Sequence, residues 1–333
     1  MKSKINFIDQ ILIAKKIIIS RLFYKRSPLV ISWALTYRCN LRCYYCSLWR
    51  KNTGEMDTNQ IILLVDELVN LGTKCIIFDG GEVLLKEGLQ RIFDYCSNKG
   101  IYVVLNSNGT LVKEKIKEIS AIDEIKLSLD GPRPVQDFIR GKDGTYDKVI
   151  EAIRVLKDRG KKVYINTVLS KCNLSSFSHV LEVGERLKIG AFFQPATQNL
   201  LGSGGKDHFS PPIDGYRKVI EFLISEKNKG NKVIRNSIAG LKHLYNYPKP
   251  TEIFCLAKFL HCSIEPDGRI TSCDRLLNYE KFLVPVNGDF KKAFKNINTP
   301  YCASCWCGTM VDFNLAGNFN LDALRAMWTT IRK

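Results

Sequence analysis

Residues 30–46 read VISWALTYRCNLRCYYC. The run VISWALT (30–36) has the apolar and β-branched character of a buried strand, and Cys39, Cys43 and Cys46 follow it within eight positions. Runs of the same kind recur at CIIFDG (75–80), YVVLNSN (102–108), EIKLSLD (124–130), KVYINTVLS (162–170) and AFFQPA (191–196). Between them lie helical patterns of ten or more residues. NQIILLVDELVNLG (59–72) and TYDKVIEAIRVLKDRG (145–160) each end on a glycine, which is a helix stop signal. Strands alternating with helices at this spacing predict βαβ units and a parallel sheet. Six units predict an α/β fold, a partial (β/α)6 TIM-like barrel that collects reactive groups at the C-terminal ends of its strands. The cysteine loop stands at the first of those ends.

Further along, LLGSGGKDHFSPP (200–212) is rich in Gly, Ser and Pro and reads as a boundary. A helical stretch follows near 213–228, and NYPKP (246–250) breaks the chain again. Beyond it, residues 251–310 hold six of the twelve cysteines: Cys255, Cys262, Cys273, Cys302, Cys305 and Cys307. The expected organisation is a basic amphipathic helix over 1–28, a core over 29–212, linker helices over 213–250, and a small cysteine-rich region with a C-terminal helix over 251–333. A region with six cysteines and few long apolar runs is expected to depend on a bound metal for order.

With 45% hydrophobic and 25% charged residues among 333, the composition is that of a soluble globular chain. No stretch reaches about 18 apolar residues without a charge, so no transmembrane helix is expected, and the start lacks the order of a signal peptide. A cytoplasmic protein is expected, where twelve thiols point to metal or redox chemistry rather than to disulfides. The net charge of +17 favours anionic partners. Residues 1–26 carry Lys2, Lys4, Lys15, Lys16, Arg21, Lys25 and Arg26 against Asp9, around a broad apolar face. Such a helix lies peripherally on an anionic membrane or packs on the protein body, and packing is the commoner fate.

Structural zinc normally takes four protein ligands. Three thiols standing together, with none of the four histidines near in sequence, instead suit a [4Fe–4S] cluster that leaves one iron open. The loop CNLRCYYC (39–46) resembles the C-x3-C-x2-C signature of the radical S-adenosylmethionine (AdoMet) superfamily, with the aromatic Tyr45 before the third cysteine. The resemblance implies that the open iron binds AdoMet, and that cleavage yields a 5′-deoxyadenosyl radical that abstracts a substrate hydrogen. Gly80-Gly81-Glu82 resembles the family's GGE motif, whose glycines let the backbone approach the AdoMet amino group; Val83 stands where relatives commonly carry Pro. LSLDG (127–131) resembles the segment that faces the ribose, which makes Ser128 and Asp130 candidate hydroxyl partners. NSNGT (106–110), opening on Asn106, resembles the third-strand segment, and Arg140 fits the loop before the fourth helix. Taken singly, Gly80-Gly81 and Asp130-Gly131-Pro132 read as turns, and Glu82 as a solvated acid.

In the C-terminal region EPDGRITSC (265–273) predicts a short hairpin turning at Asp267-Gly268. The spacing Cys255-x12-Gly268-x4-Cys273 with the Cys302-x2-Cys305 pair resembles the SPASM extension of radical AdoMet enzymes. The chain lacks the further cysteines of the full pattern. It therefore looks like the shorter twitch version, which holds one auxiliary [4Fe–4S] cluster. The implied ligands are Cys255, Cys273, Cys302 and Cys305, with Cys262 competing for a place and Cys307 able to replace Cys305. A zinc site stays open as the alternative. Cys75, Cys96 and Cys172 read as buried small apolar residues.

The expected function is radical hydrogen abstraction fed by a reducing donor such as flavodoxin or ferredoxin, with net oxidation through the auxiliary cluster. Only 38 residues precede Cys39, fewer than the peptide-recognition domain that peptide-modifying relatives often carry, so a small or lipid-like anionic substrate is favoured over a peptide. A rival from another class is a non-catalytic, metal-stabilised protein that binds nucleic acid through its positive charge.

Overall fold

In this computed structural model, which describes residues 7–197, 209–249, 251–273, 280–298 and 304–332, all six strand-like runs form strands. They are β1 (Val30–Thr36), β2 (Cys75–Gly80), β3 (Tyr102–Ser107), β4 (Glu124–Ser128), β5 (Lys162–Leu169) and β6 (Gly190–Pro195). Helices α1 (Phe7–Phe23), α2 (Thr58–Asn70), α3 (Leu89–Asn98), α4 (Arg133–Arg140), α5 (Thr145–Asp158) and α6 (Ser178–Leu187) accompany them. The expected α2 boundary holds because Asp57 caps it, accepting from Asn59 N and Gln60 N while the Gln60 side chain returns to the Asp57 backbone. Between β3 and β4 the structure departs from the helical expectation. Residues 110–121 form successive turns whose bonds mix i→i−3 and i→i−4 spacing, as in Glu118 N to Lys115 O and Lys115 N to Leu111 O.

Period-two alternation sorts the strands into two faces. Ile31, Trp33 and Leu35 of β1, with Ile76 and Phe78 of β2, pack outward under the helices. Trp33 stacks on Phe78 at 6.1 Å, and Phe78 meets Phe93 of α3 at 5.2 Å. The opposite face lines a lumen, where Val30, Cys75, Ile77, Tyr102 and Val104 form a second apolar cluster.

After α7 (Ile213–Asn228) and α8 (Ile238–Tyr245), the cysteine-rich region does not stand apart from the barrel. Its β7 (His261–Ile264) pairs in parallel with β1, Val30 opposite His261 and Trp33 opposite Ile264. β8 (Ile270–Thr271) returns antiparallel beside it, turning through Gly268, whose φ of +87° is glycine territory. Among the described residues the order is β6-β5-β4-β3-β2-β1-β7-β8, an open sheet rather than a closed barrel. Helices α9 (Phe290–Asn296), α10 (Gly308–Gly317) and α11 (Leu321–Arg332) complete the chain. The boundary expected at 200–212 falls largely outside the described residues.

α1 packs as a plug. Ile13 and Ile17 bury against Leu29, Tyr102, Val104, Leu256 and Leu260. Three of its region's cations turn inward: Lys16 donates to Gly72 O (2.8 Å), Arg26 to Ile297 O (3.1 Å), and Arg21 lies over the Phe254 ring. That removes much of the charge a membrane surface would read, although Ile11, Leu12, Ile18, Leu22 and Phe23 stay exposed on the outer side. Among the described residues no helix is long and apolar enough to cross a membrane.

Asp312 of α10 is buried and accepts from Ser237 N (3.1 Å) and Ser237 Oγ (2.5 Å). Burial nonetheless pushes its carboxyl up to about 6. The folded value lies above the unfolded one near 3.9, so this group's contribution is fully present below about pH 4 and is lost as pH rises through 6. About two units correspond to about 3 kcal/mol. Asp312→Asn is therefore expected to flatten the dependence of the unfolding temperature on pH between 4 and 7; an unchanged slope contradicts the assignment.

Candidate active site

The site stands on the C-terminal end of β1, where the register with β2 slips between Ala34 and Thr36. The irregularity re-aims the chain into the cysteine loop. Gly81 N then donates to Thr36 O (2.8 Å) and Glu82 N to Arg38 O (2.9 Å). A Cβ on Gly80 would lie 2.3 Å from Thr36 O, and one on Gly81 2.3 Å from Arg38 O. The close approach that these glycines permit is thus first to the loop carrying Cys39, and not only to a ligand.

That loop is braced from several sides. Arg42 donates to Cys39 O (2.8 Å), Trp49 Nε1 to Cys46 O (2.9 Å), and Tyr44 N to Ile139 O of α4 (2.8 Å). Cys39, Cys43 and Cys46 are all half-buried. Burial pushes the Cys39 thiol up to about 11, despite a backbone hydrogen bond that pulls the other way, and raises Cys46 as well. As free thiols these two hold their protons at neutral pH, so loading a metal there releases them. Among the described residues no three Cys, His, Asp or Glu side chains converge as on a single metal ion.

Asp130, the candidate ribose partner, has its carboxylate engaged within the protein. Its carboxylate is wholly buried and occupied by Arg140 Nη2 (2.6 Å), Tyr45 OH (2.9 Å) and Val168 N (2.9 Å). Arg140, in the last turn of α4 rather than in a loop, also places Nη1 3.8 Å from Cys43 Sγ. Burial opposes its charge, but Asp130, Tyr45 and Cys43 together hold the guanidinium protonated. The result is a buried positive charge that ties the middle thiol to β4 and β5. Tyr45 is likewise a strut of this lock.

Glu82 is a buried acid, not a solvated one. It accepts from Asn108 N (2.8 Å), Ser107 Oγ (2.8 Å) and Leu84 N (3.1 Å). Burial raises its pKa, and these donors partly offset the rise. Asn108 continues the brace to Asn40 Oδ1 (2.9 Å), next to Cys39. Ser128 lies half-buried on the lumen face of β4. Asn106 Oδ1, on the lumen face of β3, is buried with no hydrogen-bond partner among the described residues. An orphaned acceptor at that end of the lumen fits an amino or hydroxyl donor of AdoMet.

A second network had no sequence signal. Glu55 gathers Arg38 Nε (3.0 Å), Lys86 Nζ (3.0 Å) and Thr36 Oγ1 around the end of β1. Although partial burial acts against ionisation, these three donors hold its carboxyl down near 2.

The C-terminal cysteines divide. Cys255 lies 3.9 Å from Asn314 Nδ2 of α10, and Cys305 offers its carbonyl to His243 Nε2 (2.9 Å). Cys273 follows β8, and Cys307 precedes the first turn of α10. Cys302 lies outside the described residues. Cys262 departs from expectation: it stands opposite Ile31, fully buried in the outward core, on the face away from Ser263 and Thr271. Apolar burial drives its thiol strongly toward the protonated form, as suits a core residue. Cys96 is buried as expected, whereas Cys75 and Cys172 are only half-buried, and Cys172 stands beyond β5.

Residues 33–182 match the family model described as the Radical SAM superfamily. The chain is 30% identical over 217 residues to the AdoMet-dependent heme synthase of Methanosarcina barkeri, covering 62% of this chain and 60% of that protein. It is 25% identical over 305 residues to the mycofactocin maturase MftC of Mycolicibacterium smegmatis, covering 84% and 76%. Among solved structures, Streptococcus suis SuiB bound to S-adenosylmethionine superposes with a TM-score of 0.68 at 16% identity, covering 86% of this chain and 70% of that one. The chain spans 43% to 60% of the length of the first porphyrin-related relatives it matches.

Proposed function

Residues 33–182 are a Radical SAM superfamily domain, and on that premise we propose that the chain reductively cleaves AdoMet at a [4Fe–4S] cluster held by Cys39, Cys43 and Cys46. The observation that carries this reading is the braced three-thiol loop at the end of β1, locked to Asp130 through Arg140. The family assignment replaces the nucleic-acid alternative. When bound, the cluster and AdoMet together supply a 5′-deoxyadenosyl radical that removes a substrate hydrogen. The chain's own residues hold the loop: Arg140 beside Cys43, Glu82 tying β2 to β3, and Asn106 offering its free oxygen to the AdoMet side. An electron donor such as flavodoxin or ferredoxin would feed the site.

A second cluster on Cys255, Cys273, Cys302 and Cys305 would take the substrate electron, giving net oxidation. Anaerobic reconstitution with iron, sulfide, dithionite and AdoMet tests both parts. Formation of 5′-deoxyadenosine and about eight irons per chain are expected. No cleavage by an intact cluster sinks the first part, and about four irons sink the second. Cys273→Ala is expected to lower product formation more than AdoMet cleavage; equal losses contradict an electron-transfer role.

For the substrate class, the net charge of +17 and the basic N-terminal region support a small or lipid-like anionic substrate. The lumen cavity of about 200 Å³ stands apart from the cysteine loop: Val30, Cys75, Tyr102 and Glu124 line it at the N-terminal ends of their strands, and Glu124 and Asp312 accompany Lys126 and Arg235 there. The second reading, maturation of a peptide, draws on the resemblance to a mycofactocin maturase over 84% of the chain.

A further inference from the structure

Across β1, β7 and β8 the lumen face carries a row of hydroxyls. Ser32 pairs in register with Ser263, and Ser263 with Thr271. Adjacent strands stand about 4.8 Å apart, so the three side chains rise side by side. All three are buried. Their neighbours along the strands, Ile31, Cys262, Ile264 and Ile270, belong to the outward core, which fixes the row on the inner face. Ser32 Oγ is satisfied by His261 Nε2 at 3.1 Å. Ser263 Oγ and Thr271 Oγ1 have no partner among the described residues. Leaving such groups unpaired is costly, and buried hydroxyls in folded proteins almost always meet an acceptor or a donor.

The position of the row says what that partner is. Thr271 ends β8 two residues before Cys273, and with the bend at Ser272 between them their Cα atoms lie within about 7 Å, which brings the hydroxyl within reach of sulfur held at Cys273. Ser272 O lies 3.3 Å from His261 Nδ1, which keeps the chain alongside β7 up to the cysteine. We propose that Thr271, supported by Ser263, donates a hydrogen bond to sulfur of the iron–sulfur group carried by Cys273 and thereby sets its reduction potential. The inference rests on the auxiliary-cluster reading above. Donation to sulfur stabilises the reduced, more negative cluster, so the hydroxyl holds the potential up. Thr271 is on this account a positioning and tuning residue, not a cluster ligand.

Thr271→Val keeps the shape and removes only the hydroxyl. Wild type and variant are reconstituted anaerobically, iron is counted, and both clusters are titrated potentiometrically with EPR detection. At a fixed potential the auxiliary cluster of the variant is expected to show about a tenfold lower ratio of reduced to oxidised form, a shift of 59 mV for one electron. Thr271→Ser should keep the wild-type value, and Ser263→Ala should shift it the same way by less. The cluster on Cys39, Cys43 and Cys46 should not move in any of them. An unchanged auxiliary potential in Thr271→Val with both clusters loaded overturns the proposal. So does a fall in the unfolding temperature of the metal-free Thr271→Val chain by several degrees, because it would mean the hydroxyl is already satisfied by the fold. Wild type holding about four irons and one EPR signal instead removes the group itself, which is the failure of the underlying reading and is told apart by the iron count.

Discussion

AdoMet cleavage is expected to fall at least about a thousandfold, to background, when Cys39, Cys43 and Cys46 are replaced together by alanine. The reason is chemical: without thiolates at that loop no open iron is held where the electron must enter, and among the described residues no other group of three Cys, His, Asp or Glu side chains converges to replace it. The fold should survive. The three thiols are half-buried, so trimming each to alanine costs on the order of 1 kcal/mol or less. The loop's braces run through main-chain carbonyls of Cys39 and Cys46 and through Tyr44 N, none of which the substitution removes. Iron per chain should fall by about half after reconstitution, leaving the C-terminal group. Retained 5′-deoxyadenosine formation contradicts the assignment of this loop; loss of all iron contradicts the independence of the two sites.

The six barrel strands were legible because their runs are bounded by glycines and cap residues, and the signals are local. The attachment of β7 to β1 was not. It joins Val30 to His261 across the chain, and no pattern near either residue announces the other. Cys262 shows a finer limit. Counting cysteines makes it a candidate ligand, but ligation depends on which face of a strand it takes, and with a period of two a single residue decides between lumen and core. Asp130 shows another. Its turn-like neighbourhood and its resemblance to a ribose contact were both visible, whereas its occupation by Arg140, Tyr45 and Val168 depends on three separate elements meeting. The Glu55 network is of the same kind, gathering Thr36, Arg38 and Lys86 from sites up to 31 residues away. Residue type and spacing thus locate the cysteine loops, while the polar locks around them follow from the assembled fold.

Asp130→Ala tests the most demanding of those locks. Asp130 and Arg140 are both buried, and the carboxylate also serves Tyr45 OH and Val168 N. Removing it leaves a guanidinium charge in the protein interior with no counter-charge, which costs about 3–5 kcal/mol. Urea unfolding of the metal-free chain reads that loss directly. Asp130→Asn retains an acceptor for Val168 N and Tyr45 OH and should lose less. Arg140→Met removes the stranded charge, so Asp130→Ala combined with Arg140→Met should be more stable than Asp130→Ala alone, a coupling that a double-mutant cycle isolates. Because Arg140 Nη1 stands 3.8 Å from Cys43 Sγ, the same variants should also take up less iron at the β1 loop while the C-terminal group still loads. If Asp130→Ala costs under about 1 kcal/mol, the pair is not the buried lock that its geometry describes.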